Sequence, residues 1–362
     1  MVRLLAGLVA AGLMVLLVGC GEGAPDDSEV LISLTDQVIV PTYQAAGAAA
    51  TDLETALEAL CAAPSDSTLR SAYQAWRDAR GAWLRSAAMA FGPVADRRSG
   101  GLIDWSPIDP ARIERMLAEN PATTEDAVRN TLASTQRGFG AIEYIVFDPD
   151  AVSRLSDSAS ARCEYLRALG GVIASETGAI VEEWTVSRNG GPAYRDFLTG
   201  RSSSSMLESA AVAEVVRTQV FLIRTLTDLQ LAAALGLRGD GPDLAAIPGG
   251  AGGNGLADLR ATVLGMRDVY LGDADNDGLG VSHLVTPLST AADERMRSQF
   301  EDALMAVDAV EGPLRDAVVD RPAQVRAVYD RVMELRRTLN TEVVSLLGVA
   351  VGFSDTDGDS MR

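Results

Sequence analysis

Two charged residues stand where a helical reading of the chain puts apolar side chains. At about 100° per residue, Val128, Leu132, Thr135, Phe139, Ile142 and Val146 form one apolar stripe, and Glu143 falls inside it. Arg80 does the same on the face that carries Leu69, Tyr73, Trp76 and Trp83. An unpaired charge in a core is costly, so each needs a partner, a proton, a metal or a ligand. The opposite signs suggest that Arg80 pairs with Glu143, with Asp104 or Asp109 from the intervening loop. Glu143, Arg80 and Asp104 are therefore the candidate ligand or metal residues. An internal ion pair that only fixes helix register is the competing reading. Arg77 and Arg85, off the stripe, read as solvated.

A second candidate is "DADNDG", residues 273–278. Asp273, Asp275 and Asp277 with Gly278 match the first half of a calcium loop, but Leu284 stands where the bidentate Glu of an EF-hand belongs. A weak calcium site and an acidic turn both remain open, as they do for "DTDGD" at 355–359. Other chemistries find little support. His283 is the one histidine and no GxSxG elbow occurs. One histidine and two cysteines of the mature chain cannot furnish a zinc site of several His or Cys ligands. The run "GGAGGNG" lacks a P-loop lysine. A formal charge of -19, with arginine but no lysine, argues against nucleic-acid binding and leaves acidic solubility or attraction of cations.

The elements that must position these residues read as helices throughout, with no alternating strand. Helical regions are expected at about 30–60, bent or joined at Pro41, and at 65–90. A Gly- and Pro-containing loop over 91–111 carries Asp104 and Trp105. A short helix at 113–119 precedes the Glu143 helix, N-capped by Thr123 or Thr124. Further helices are expected at about 158–187, 205–236, 256–271, 291–310 and 322–350. The glycine-rich stretch 237–255 reads as a linker between a lobe at about 30–236 and a second at about 256–352. "ARGAW" (79–83) and "MRDVY" (266–270) hint at an internal duplication.

The N-terminus bears on location. Arg3, an apolar run from Leu4 to Val18 and "LVGC" ending at Cys20 read as a secretory signal, residues 1–19. Gly19-Cys20 resembles a bacterial lipobox, which would lipidate Cys20; an ordinary signal peptide is the alternative. Residues 20–29 read as a disordered tether. Gly21 rather than Asp after the cysteine suggests outer-membrane anchoring, facing the periplasm. Cys61 and Cys163 would then lie in an oxidising compartment and could form a disulfide. Closing about 100 residues, it would contribute about 4–5 kcal/mol in the chain-entropy model. Two buried free thiols are the other possibility.

Residues 36–94, "IDWSPID" (103–109), "GFGAIEYIVFDPDA" (138–151), "RCEYLRAL" (162–169) and "LLGVAVGFSDTDGD" (346–359) together resemble imelysin-like proteins of the bacterial envelope. The resemblance implies an all-α fold of two helical-bundle lobes with a site between them, and links to iron. It also carries a metallopeptidase label. The family's GxHxxE pattern falls on Gly138, Gly140 and Glu143, so Gly140 replaces the histidine. Ala87 stands where many relatives carry a Glu. The expectation is a non-catalytic envelope binding protein tied to iron or small-ligand uptake, partnered by the membrane and an outer-membrane uptake system. A metallopeptidase or an envelope scaffold is the alternative. Iron or calcium would be the cofactor if there is one.

Overall fold

A computed structural model describes residues 25–119, 123–156, 160–239, 241–247, 249, 252–273 and 276–351. Among them the secondary structure is helical with no strand, an all-α fold. The expected signal segment, Cys20 and the 355–359 motif lie outside the described residues. No helix among the described residues is long and apolar enough to cross a membrane.

The chain enters its first helix earlier than expected. Asp26 accepts from the Glu29 backbone N–H, and the Glu29 side chain returns to the Asp26 N–H, a capping box that starts the Asp27–Leu34 helix. Residues 27–29 are thus helical, a correction to the disordered tether. A π-helical turn at Thr35–Ile39 joins the Asp27–Leu34 helix without a break to the Val40–Ala62 helix, and this irregular turn lies directly before Pro41, whose missing N–H a regular helix would have to forgo.

One group of helices is built from Val40–Ala62, Asp66–Ser86 and Ala161–Thr185. Val40–Ala62 and Ala161–Thr185 pack closely enough that a Cβ on Gly170 would lie 3.3 Å from the Glu54 Cα. Cys61 and Cys163 meet in this packing. Both are buried, with Cys61 Sγ donating to the Cys163 carbonyl at 3.7 Å. A second group contains Gly255–Leu271, Thr290–Asp308 and Pro322–Thr338. Glu208–Arg224 packs with this second group, its Val216 and Gln219 lying beside Met266, Met296, Phe300 and Leu339. Glu208–Arg224 also packs against Asp27–Leu34 and Ala87–Met89, so it is not confined to the second group.

The two groups meet where Asp66–Ser86 crosses Gly255–Leu271. Gly265 makes the crossing possible, because a Cβ there would sit 2.0 Å from the Arg85 carbonyl oxygen.

The stripe from Val128 to Val146 is not one helix. It is divided into Glu125–Asn130, capped by Thr124, a 3-10 turn at Ser134–Gln136 and the helix Phe139–Val146. The first helix ends at Asn130, and the last starts after Gly138, whose φ of +81° is a left-handed conformation that side chains disfavour. The expected 91–111 loop likewise folds into short helices at Pro93–Arg97 and Gly100–Ile103.

Candidate functional site

Arg80 comes from the tryptophan helix Asp66–Ser86, which opens on a capping box between Ser65 and Thr68. Its stripe buries Trp76 completely, and the indole Nε1 donates to the Phe139 carbonyl at 2.9 Å. That bond ties the tryptophan helix to the start of the Glu143 helix. Arg80, 1% exposed, lies between the two, its guanidinium 5.5 Å from the Trp76 ring and 6.0 Å from the Phe139 ring.

Its ion-pair partners differ from the expected pair. Nη1 donates to Asp104 Oδ1 at 2.5 Å and Nε to Asp258 Oδ2 at 2.8 Å. Among the described residues Nη2 has no hydrogen-bond partner. Burial opposes the charge, but Asp104 and Asp258 outweigh it and hold the guanidinium protonated. Asp104 closes the short Gly100–Ile103 helix. Asp258 sits in the first turn of Gly255–Leu271 and also accepts from the Asn254 side chain at 2.6 Å. Burial holds the Asp258 carboxyl above its ordinary range, since Arg80's attraction must also offset the charge of Asp104.

Glu143 is not hydrogen-bonded to Arg80. It is 7% exposed and accepts from the Gly252 backbone N–H at 2.6 Å. Burial raises its pKa, and the Gly252 bond and Arg80 only partly oppose this. Asp109, the other proposed partner, instead accepts from the Arg112 backbone N–H and caps the following helix. Arg77 and Arg85 are not simply solvated. Arg77 donates to the Gly252 carbonyl at 3.2 Å and lies over Phe147, while Arg85 pairs with Asp268 at 2.7 Å.

The stretch read as a linker forms a wall of this site. Gly249, at φ +66°, passes so close that a Cβ would come within 2.4 Å of Asp258 Oδ2 and 3.3 Å of Arg80 Nε. A Cβ on Gly252 would lie 3.0 Å from Phe147. These glycines let the backbone lie against charged and aromatic groups, with Gly252 N–H meeting Glu143. Asp258 was missed in the sequence, although an acid beside Leu259, Thr262 and Met266 on one helix face carries the same signal as Glu143.

The motif glycines are packed too. A Cβ at Gly138 would meet the Ile103 carbonyl oxygen at 2.4 Å. A Cβ at Gly140, the histidine position, would lie 2.7 Å from Ile108 Cγ2. A metal does not fit the residues present. Arg80 takes up Asp104 and Asp258, Glu143 is bonded to backbone, and among the described residues no three or more His, Cys, Asp or Glu side chains are grouped to hold an ion. In the calcium candidate, Asn276 donates to Asp273 Oδ2 and Gly278 N–H to the Asp273 carbonyl, Asp277 has a φ of +53°, and Asp275 lies outside the described residues. His283 Nδ1 accepts from the Gly280 N–H and lies apart from this site.

Beside Arg80, Asp104 and Asp258 opens a cavity of about 250 Å³ between the two helix groups. Its remaining walls are mostly apolar, including Leu84, Trp105, Leu231, Ile247, Leu259 and Leu314. Apolar walls with a few convergent polar groups are the usual form of a small-molecule site.

Comparison with known proteins agrees with this architecture. The sequence pattern of the family described as Imelysin (Peptidase_M75) matches residues 39–341. "Iron-regulated protein A" of Synechococcus elongatus is 27% identical over 354 residues, covering 95% of this chain and 94% of that protein. A crystal structure assigned to an iron-regulated protein A precursor from Parabacteroides distasonis superposes with a TM-score of 0.75 at 19% identity, covering 90% of this chain and 97% of that one. An imelysin-like protein from Psychrobacter arcticum gives 0.73 at 17% identity, with the same coverage of each chain.

Proposed function

The chain belongs to the imelysin family, and from that premise we propose that it is a non-catalytic binding protein of the cell envelope, serving iron-associated or other small-ligand uptake. The observation that carries this reading is the histidine position of the motif. Gly140 supplies neither metal ligand nor base, and Ile108 fills the space that a side chain there would need. Arg80 then supplies the positive charge among Asp104, Asp258 and Glu143 that a catalytic ion would otherwise bring. The cavity beside it gives a ligand a seat without requiring a reaction. The lipobox-like Gly19-Cys20 supports a lipid anchor, and Gly21 in place of Asp supports the outer membrane, facing the periplasm. The name of the Synechococcus relative supports the iron context.

The test is hydrolysis. Full-length protein, supplied with zinc or ferrous iron, is incubated with a mixed peptide pool and the products are read by mass spectrometry. No cleavage above the metal-only blank is expected. Cleavage that disappears in Glu143→Gln would overturn the reading.

A further inference from the structure

The cavity beside Arg80 has a sign as well as a shape. One guanidinium faces Asp104 and Asp258, so the charged end of the cavity carries one cation and two acids. Asp104 is the more open of the two paired aspartates, its side chain 13% exposed against 8% for Asp258, and it lines the cavity. Trp105 follows it in the wall. Leu231, Ile247 and Leu259 offer apolar surface to the rest of a ligand.

An anionic ligand could look to Arg80 Nη2, which lacks a partner among the described residues, but it would lie beside Asp104 and Asp258. Arg80 and Asn254 take both oxygens of Asp258 and Arg80 takes Asp104 Oδ1, which leaves Asp104 Oδ2 for a monovalent donor but too few oxygens for a bare metal ion.

We propose that this cavity binds a small organic cation, an amine with a compact apolar body, whose ammonium group lies against Asp104. The inference rests on the reading of the chain as a binding protein and names the ligand class of the same site. The acidic charge of the whole chain, -19, acts in the same direction by drawing cations toward it.

Three probes sharing one skeleton separate head group from body: 3-methylbutylamine, 3-methylbutan-1-ol and 3-methylbutanoate. Each is titrated calorimetrically into the full-length protein and into Asp104→Asn. The amine should bind wild type roughly tenfold or more tighter than the alcohol, as expected for a charge-assisted hydrogen bond. Asp104→Asn should remove that advantage, read as the ratio of amine to alcohol affinity within the variant, with its unfolding curve showing that it is folded at the titration temperature. Tighter binding of the carboxylate overturns the proposal in favour of an anion at Nη2. Equal binding of amine and alcohol, indifferent to Asp104→Asn, overturns the cationic class but leaves the cavity as a binding site. Failure of all three to bind overturns both the class and the cavity's role.

Discussion

Replacing Arg80 with Met removes the guanidinium while keeping an unbranched apolar side chain among Trp76, Phe139 and Leu84. The consequence follows from what is left behind. Asp104 and Asp258 lose partners at 2.5 and 2.8 Å, with their side chains only 13% and 8% exposed. Breaking a buried pair from one side costs about 3–5 kcal/mol. Against a typical total of about 5–15 kcal/mol, that is a large fraction of stability. Urea denaturation at neutral pH should therefore show a lower midpoint with an unchanged slope.

The pH dependence gives a second signature. Without Arg80 the Asp258 carboxyl, already raised by burial, loses the attraction that opposed the shift, so its folded pKa rises further above the unfolded one. Stability from a raised carboxyl is fully present below its unfolded pKa and is lost as pH rises through the folded value. The deficit of Arg80→Met relative to wild type should thus be smallest in mild acid and largest at neutrality. Adding Asp104→Asn and Asp258→Asn should recover most of it. A deficit below about 1 kcal/mol, equal at both pH values, would refute the reasoning.

Glu143→Gln keeps an acceptor for the Gly252 N–H but cannot ionise. Because burial raises the Glu143 pKa, wild-type stability falls relative to the variant as pH rises from the ordinary carboxyl range. Paired urea curves should show the variant equal in acid and the more stable at neutrality. Glu176, 1% exposed, accepts from both Arg97 and Arg129 as well as from Ser99. Burial alone would raise its pKa, yet those bonds hold it low. Glu176→Gln should cost about 2–4 kcal/mol at neutrality, less than a fully buried pair because both arginines reach solvent. Stability from a lowered carboxyl is lost as pH falls through its folded pKa, so this deficit should shrink only in strong acid. Gly138→Ala combines a left-handed φ with a clash against the Ile103 carbonyl, and should lower stability by about 2–3 kcal/mol by thermal or urea unfolding.

Periodicity sufficed for the helices because each buries a stripe, and the stripe is written in the sequence. It also pointed to Glu143 and Arg80 as charges inside such stripes. It could not assign partners. Asp258 reaches Arg80 from a helix about 180 positions away in the chain, and that distance is bridged by helix packing, which no local pattern encodes. The helix break between Asn130 and Phe139 was hidden because apolar residues on both sides continued a helical spacing. The role of 249–252 was hidden for a different reason. Glycine reads as flexibility in a sequence, whereas here it permits close backbone approach to Asp258, Arg80 and Phe147. The expected pairing of Arg80 with Glu143 failed because a backbone N–H already meets that carboxylate.

The central claim is that a guanidinium, rather than a metal ion, is the cation of this site. Metal content is the most direct test: full-length protein and Glu143→Gln are purified, dialysed against free chelator-treated buffer and measured by inductively coupled plasma mass spectrometry. Iron and zinc far below one equivalent per chain, unchanged by the substitution, is the expected result. Close to one equivalent of either metal, lost in Glu143→Gln, would contradict it.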